Sequence, residues 1–172
     1  WDEEIYCLKK ILEKRDIHVP ASREVFTEME ICSFLQQVEI FRKLGAAELK
    51  KMAGQAAVQI YYANDAIVQN KDEQSLAIFI MEGKVIRSRD DGRGWYSMLD
   101  IRSERGMLNE YVLLEEGNYC ITGEALSDRV VVLAIPAAYL RELILDDRRV
   151  SQLVFKQLFA ELDKYQRRWM LS

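Results

Sequence analysis

At 172 residues, 49% of them hydrophobic and 30% charged, the chain has the length of one domain with helical flanks and a composition that excludes wholesale disorder. No run approaches the roughly 18 consecutive apolar residues that a membrane span needs. A net charge of -4 argues against direct nucleic-acid binding, which draws on a basic face to neutralise phosphates.

The chain opens on Trp1 and the charged stretch DEEIYCLKK, unlike a signal peptide, and is expected to be a piece of a longer protein. Ile5, Leu8, Ile11 and Leu12 stand at helical spacing and predict a first short helix, which Val19-Pro20-Ala21 breaks. Thr27 and Glu30 are three apart, as a capping box requires, with Phe26 and Ile31 available as a hydrophobic staple, so a helix should begin near Glu28. Its stripe runs through Phe34, Leu35 and Val38. After Gly45, Leu49, Met52 and Ala53 mark a second short helix.

From Val58 the period becomes strand-like: Val58–Tyr62, Ala66–Gln69, Ala77–Met81 and Lys84–Arg87, then Trp95–Ile101, Tyr119–Glu124 and Arg129–Ile135. Such short, evenly spaced strands indicate a sandwich or barrel. Asp90-Asp91-Gly92-Arg93-Gly94 reads as a hairpin turn. At Pro136 the period reverts to helical, with Tyr139, Leu140, Leu143 and Ile144 on one face. A long helix follows, its stripe carried by Val150, Leu153, Val154, Leu158, Leu162, Tyr165 and Trp169. The fold class expected is α+β, mainly β: an antiparallel β-roll or jelly-roll barrel flanked by N-terminal helices and two C-terminal helices.

The chemistry-bearing residues exclude more than they assign. Cys7, Cys32 and Cys120 are odd in number without Cys-x-x-Cys spacing, which points to a reduced, intracellular setting. One histidine, His18, supplies neither a histidine-based metal set nor a relay. Arg148-Arg149 and Arg167-Arg168 read as solvated helix faces. Gly-x-Ser-x-Gly, P-loop and metal-ligand spacings are missing, so no catalytic residue and no metal are expected.

The order of elements resembles the cyclic nucleotide-binding domain family, and the likeness extends to residues. Asn64-Asp65-Ala66-Ile67-Val68, the polar Lys71-Asp72-Glu73 and Ile78-Phe79-Ile80-Met81-Glu82-Gly83-Lys84-Val85 are similar to that family's first half. Asn109-Glu110 matches its Gly-Glu position, and Thr122 and Ala125 match the last two places of Arg-x-x-Thr-x-x-Ala. The likeness covers roughly residues 34–165. It implies a helical coupling segment over 1–33, the nucleotide-binding-like roll over 34–145 and a lid helix over 146–172. It also implies a phosphate-binding cassette of Asn109, Glu110, Tyr119, Cys120, Ile121 and Thr122, with Glu110 accepting from a ribose hydroxyl, and Tyr165 and Trp169 as a lid over a base.

The departures concern charge. Tyr119 stands where the family has the arginine that neutralises the cyclic phosphate, Asn109 replaces a glycine, Lys71 stands at a turn glycine, and Gly123 replaces a β-branched residue. An ionised phosphate in a partly dry pocket needs a cation, best a bidentate guanidinium. Of Arg87, Arg89, Arg102, Arg105 and Arg129, only Arg105 lies near the cassette in sequence. The resemblance therefore implies a degenerate, non-catalytic regulatory domain with weak or no uptake of cAMP or cGMP. Its expected setting is the cytosolic face of an ion channel or sodium/proton exchanger, joined to the membrane only through an adjoining segment. Its partners would be other domains of the same protein, with the end of the last helix available to pair with another copy. The alternatives are a sensor that still binds a cyclic nucleotide or a nucleoside, and the effector domain of a catabolite-activator-type transcription factor.

Overall fold

The computed structural model describes residues 26–69, 75–90, 96–113 and 121–170. The helix expected over residues 1–15, Lys71-Asp72-Glu73, Asp91–Gly94, Tyr119 and Cys120 lie outside them. Helix α1 (Glu28–Gln37) begins where the capping box places it: Thr27 N–H donates to Glu30 Oε2 at 2.7 Å, and Glu30 N–H returns to Thr27 Oγ1 at 3.2 Å. A 3₁₀ turn at Glu39–Phe41 leads to α2 (Ala46–Ala53). Phe41 is fully buried there, its ring 5.4 Å from that of Phe79, so the helical flank is fixed to the sheet by an aromatic pair.

Seven strands follow: β1 (Ala57–Tyr62), β2 (Ala66–Val68), β3 (Leu76–Glu82), β4 (Val85–Asp90), β5 (Tyr96–Arg102), β6 (Ile121–Ala125) and β7 (Arg129–Pro136). They form two antiparallel sheets, ordered β1-β7-β3 and β2-β6-β4-β5. The central β7 is buried on both faces from Val130 to Ile135, which is why it reads as a continuous apolar run and not as an alternation. Gly83 turns β3 into β4 at φ 88°. A Cβ there would lie 2.5 Å from the carbonyl oxygen of Arg129, so the Glu-Gly-x-Val pattern needs glycine for both conformation and space.

Beyond its edge with β7, β3 carries an irregular rung formed by residues 105–109. Arg105 N–H donates to Ile80 O, Ile80 N–H to Gly106 O, and Leu108 N–H to Ile78 O, at 2.8–2.9 Å. Helix α3 (Ala137–Asp146) then starts directly after Pro136. Asp147 closes α3 and caps α4 (Arg148–Met170), accepting from Arg149 N–H at 2.8 Å. Val150, Leu153 and Val154 bury α4 against α3 and the Glu39–Phe41 turn, whereas Phe155, Phe159 and Leu162 are exposed. The expected class, mainly β with flanking helices, is the one observed. Among the described residues no helix is long and apolar enough to cross a membrane.

Candidate functional site

The β4 register determines what faces the interior of the roll. Arg87 lies opposite Asp100 on β5 and Gly123 on β6, and Val85 lies opposite Arg102. Two-residue spacing puts Arg87 and Arg89 of β4 on one face, and Asp100 and Arg102 of β5 on the face that meets them. Gly123 leaves room beside β4: a Cβ on it would come within 3.0 Å of the Leu108 side chain. Against this face lies a cavity of about 430 Å³, whose walls include Arg87, Arg89, Arg102, Glu110, Leu158 and Leu162. That volume is within the ordinary range for small-molecule pockets.

Arg87 is 3% exposed and its donors are directed at fixed acceptors. Nε and Nη2 grip Asp100 Oδ1 and Oδ2 at 2.7 and 2.6 Å; Nη1 donates to Leu108 O at 3.0 Å and to Glu110 Oε2 at 2.8 Å. Burial disfavours the charge on Arg87, but Asp100 and Glu110 outweigh it and hold the guanidinium protonated well above its ordinary range. Burial likewise pushes the Asp100 carboxyl up, yet Arg87, with help from Arg102, holds it below its usual value. Arg102 reaches Asp100 Oδ2 at 3.2 Å, Glu110 Oε1 at 2.9 Å and Glu161 Oε2 on α4 at 3.1 Å. Lys164 completes the set on Glu161 Oε1 at 3.0 Å. Three cations thus face three carboxylates, and the network is formally neutral. Arg102 Nε and Glu110 Oε1 are shut off from solvent with no well-aligned hydrogen bond.

The structure corrects the choice of Arg105 as the nearby cation. Arg87 and Arg102 stand at Glu110, brought there across the β4–β5 ladder from more than twenty and from eight residues away in sequence. Arg105 does not: it is exposed at φ 68°, where the chain turns to pair with β3, and it is not among the cavity walls. Arg129 pairs with Glu82. Glu110 opens a short 3₁₀ turn, Glu110–Leu113, held from α3 by Arg141 donating to Val112 O at 2.8 Å. Asn109 is wholly buried and bonded to β3, and Thr122 is buried in β6; neither lines the cavity, whereas Ile121 does. Of the proposed lid, the side chains of Tyr165 and Trp169 lie outside those described. The part of α4 that meets the cavity is earlier, at Leu158, Glu161 and Leu162.

The contact between Arg102 and Glu161 links sheet and helix within the cavity wall. Burial raises the Glu161 carboxyl, but Lys164 and Arg102 hold it below its usual value. Replacing Glu161 with Gln keeps one acceptor and removes the charge, so we expect a loss of about 1 kcal/mol, between a surface pair and a buried one. Amide exchange in α4 beyond Leu158 should accelerate by about fivefold at that cost. Unchanged exchange there would show that the contact does not hold the helix.

No protein-family model matches the chain, and no curated protein does. Solved structures do. The sensor domain of the transcriptional regulator DNR from Pseudomonas aeruginosa superposes with a TM-score of 0.67 at 14% identity, over 76% of this chain and 92% of that one. The regulatory domain of Toxoplasma gondii PKA, solved with cAMP, gives 0.65 at 17% identity, over 77% and 50%. The catabolite activator protein of Thermus thermophilus gives 0.65 at 20%, over 77% and 62%. The chain thus spans about half the length of the PKA structure and less than two thirds of the catabolite activator. The fold is the one these cyclic nucleotide-binding and regulatory structures share.

Proposed function

We propose that this chain is a non-catalytic regulatory module of a larger protein, in which internal ion pairs occupy the place where a cyclic nucleotide would be held. The observation that carries the reading is the bond between Arg87 and Glu110, with Asp100 on the other edge of the same guanidinium. In the family the chain resembles, Glu110 would serve the ribose. Here one of its oxygens is bonded to Arg87, and the other is enclosed beside Arg102.

A cyclic phosphate would have to displace a carboxylate from Arg87 or Arg102. Opening a buried ion pair costs about 3–5 kcal/mol, whereas a new charge-assisted hydrogen bond returns about 1.5–3. The exchange is unfavourable, so cAMP and cGMP bind weakly or not at all. The test is thermal unfolding with each nucleotide. A ligand at a hundred times its Kd adds about 2.7 kcal/mol, a rise of about 5–10 °C for a chain of this size. We expect no rise at millimolar nucleotide, and a rise of that size would refute the reading.

The sequence resemblance supports a channel or exchanger as the larger protein, with this module on the cytosolic side. The likeness to the DNR sensor domain and to the Thermus catabolite activator favours a second reading, the effector domain of a transcriptional regulator. Fractionation of the full-length protein separates them: integral membrane retention supports the first, and sequence-specific DNA binding in the soluble fraction supports the second.

A further inference from the structure

Arg89 differs from the other guanidiniums in the cavity wall. Arg87 faces Asp100 in register, but the ladder slips between Arg87 and Ser88, so Arg89 lies opposite Ser97 on β5 and Ile121 on β6, both uncharged. Among the described residues Arg89 makes no ion pair and no side-chain hydrogen bond, and it is exposed at the rim. The cavity below it is walled by Leu99, Ile121, Leu158 and Leu162, and the charges on its floor are already spent on one another. Among the described residues, one positive charge without a partner carboxylate therefore stands over an apolar chamber whose floor charges pair with one another.

We propose that the cavity takes an amphipathic monoanion: a single carboxylate head on Arg89 and an apolar body against Leu99, Ile121, Leu158 and Leu162. The proposal rests on the reading that internal ion pairs exclude a cyclic nucleotide. Charge complementarity selects the head group. A planar carboxylate suits a guanidinium fork, whereas a dianion carries more charge than Arg89 can neutralise. The walls select the body, because a polar body such as a nucleoside would bury hydroxyls and ring nitrogens where Glu110 Oε1 and Arg102 Nε are enclosed. An aliphatic body loses nothing there.

The probe is octanoate, titrated by calorimetry against the intact chain, with 1-octanol and octylamine as neutral and cationic counterparts and cAMP in parallel. We expect octanoate to bind at least about tenfold more tightly than octanol, octylamine to bind most weakly, and Arg89→Met and Arg89→Gln to erase the advantage of octanoate. Arg89 is exposed, so both variants should keep the wild-type melting temperature. A melting temperature lowered in one variant leaves the other, and the octanoate-to-octanol ratio in the unmodified protein, as the measure. Equal affinity for octanoate and octanol, or an octanoate preference that survives both substitutions, overturns the proposal. Tight cAMP binding instead removes the functional reading beneath it, so the two failures are distinguishable.

Discussion

Replacing Arg87 with Met should lower stability by about 3–5 kcal/mol, the cost of taking one partner out of a buried ion-pair network. Its side chain reaches Asp100, Glu110 and Leu108 O together, so one substitution removes bonds to three groups and leaves the two carboxylates to Arg102 alone among the described residues. For a chain of this size the melting temperature should fall by about 10–15 °C. Arg87→Lys should recover only part of this, because an ammonium cannot span both oxygens of Asp100. Adding Asp100→Leu to Arg87→Met should recover more, since an apolar pair of similar volume often matches a buried ion pair. The pH dependence supplies an independent readout. Asp100 is held below its ordinary value when folded, so its contribution is complete above the unfolded value of about 4 and disappears as pH falls through the folded one. The gap between wild type and Arg87→Met should therefore narrow below about pH 4. A gap constant down to acid would mean that packing, and not charge, is what Arg87 supplies.

Much of the architecture was legible because it rests on local rules. The Thr27–Glu30 capping box, the period change near Val58 and the reversion at Pro136 each concern neighbours in sequence, and each element appears in the structure close to where it was expected. The site is different, since register decides it. Proximity to the cassette in sequence singled out Arg105, but a strand pair joins residues by position across the hairpin. Arg87-Ser88-Arg89 on β4 and Asp100-Ile101-Arg102 on β5 both place charges two apart, and opposite charges that face one another across a ladder are a signal the sequence does contain. Strand β5 was expected to end at Ile101; its extension to Arg102 is what brings the second guanidinium into the wall. Gly123 belongs to a third kind of residue. Nothing local announces that Leu108 will pack against it; the tertiary contact is what calls for its smallness.

Restoring the glycine of the resembled motif at Asn109 should destabilise the protein, contrary to what the motif alone suggests. Asn109 is fully buried, and its amide acts as one more rung on β3: Oδ1 accepts from Ile78 N–H at 2.9 Å and Nδ2 donates to Leu76 O at 2.8 Å. Asn109→Gly removes both bonds. Leu76 is partly exposed, so its carbonyl can turn to water, but the Ile78 amide is buried with its partner gone. Losing the pair and leaving that amide unsatisfied should cost about 2–4 kcal/mol in total, read from denaturant unfolding. Asn109→Asp separates the amide from its shape. The acid keeps the acceptor for Ile78, but when ionised it sets a carboxylate against Leu76 O, which raises its folded pKa above the unfolded value. Its deficit should therefore be largest near neutral pH and shrink on acidification, as the protonated form donates to Leu76 again. The consequence reaches the cavity, because Asn109 precedes Glu110 and anchors the segment whose Leu108 carbonyl holds Arg87. A neutral Asn109→Gly would mean that the backbone rungs from Arg105 to Leu108 suffice to seat Glu110, and that the side-chain rung contributes no stability.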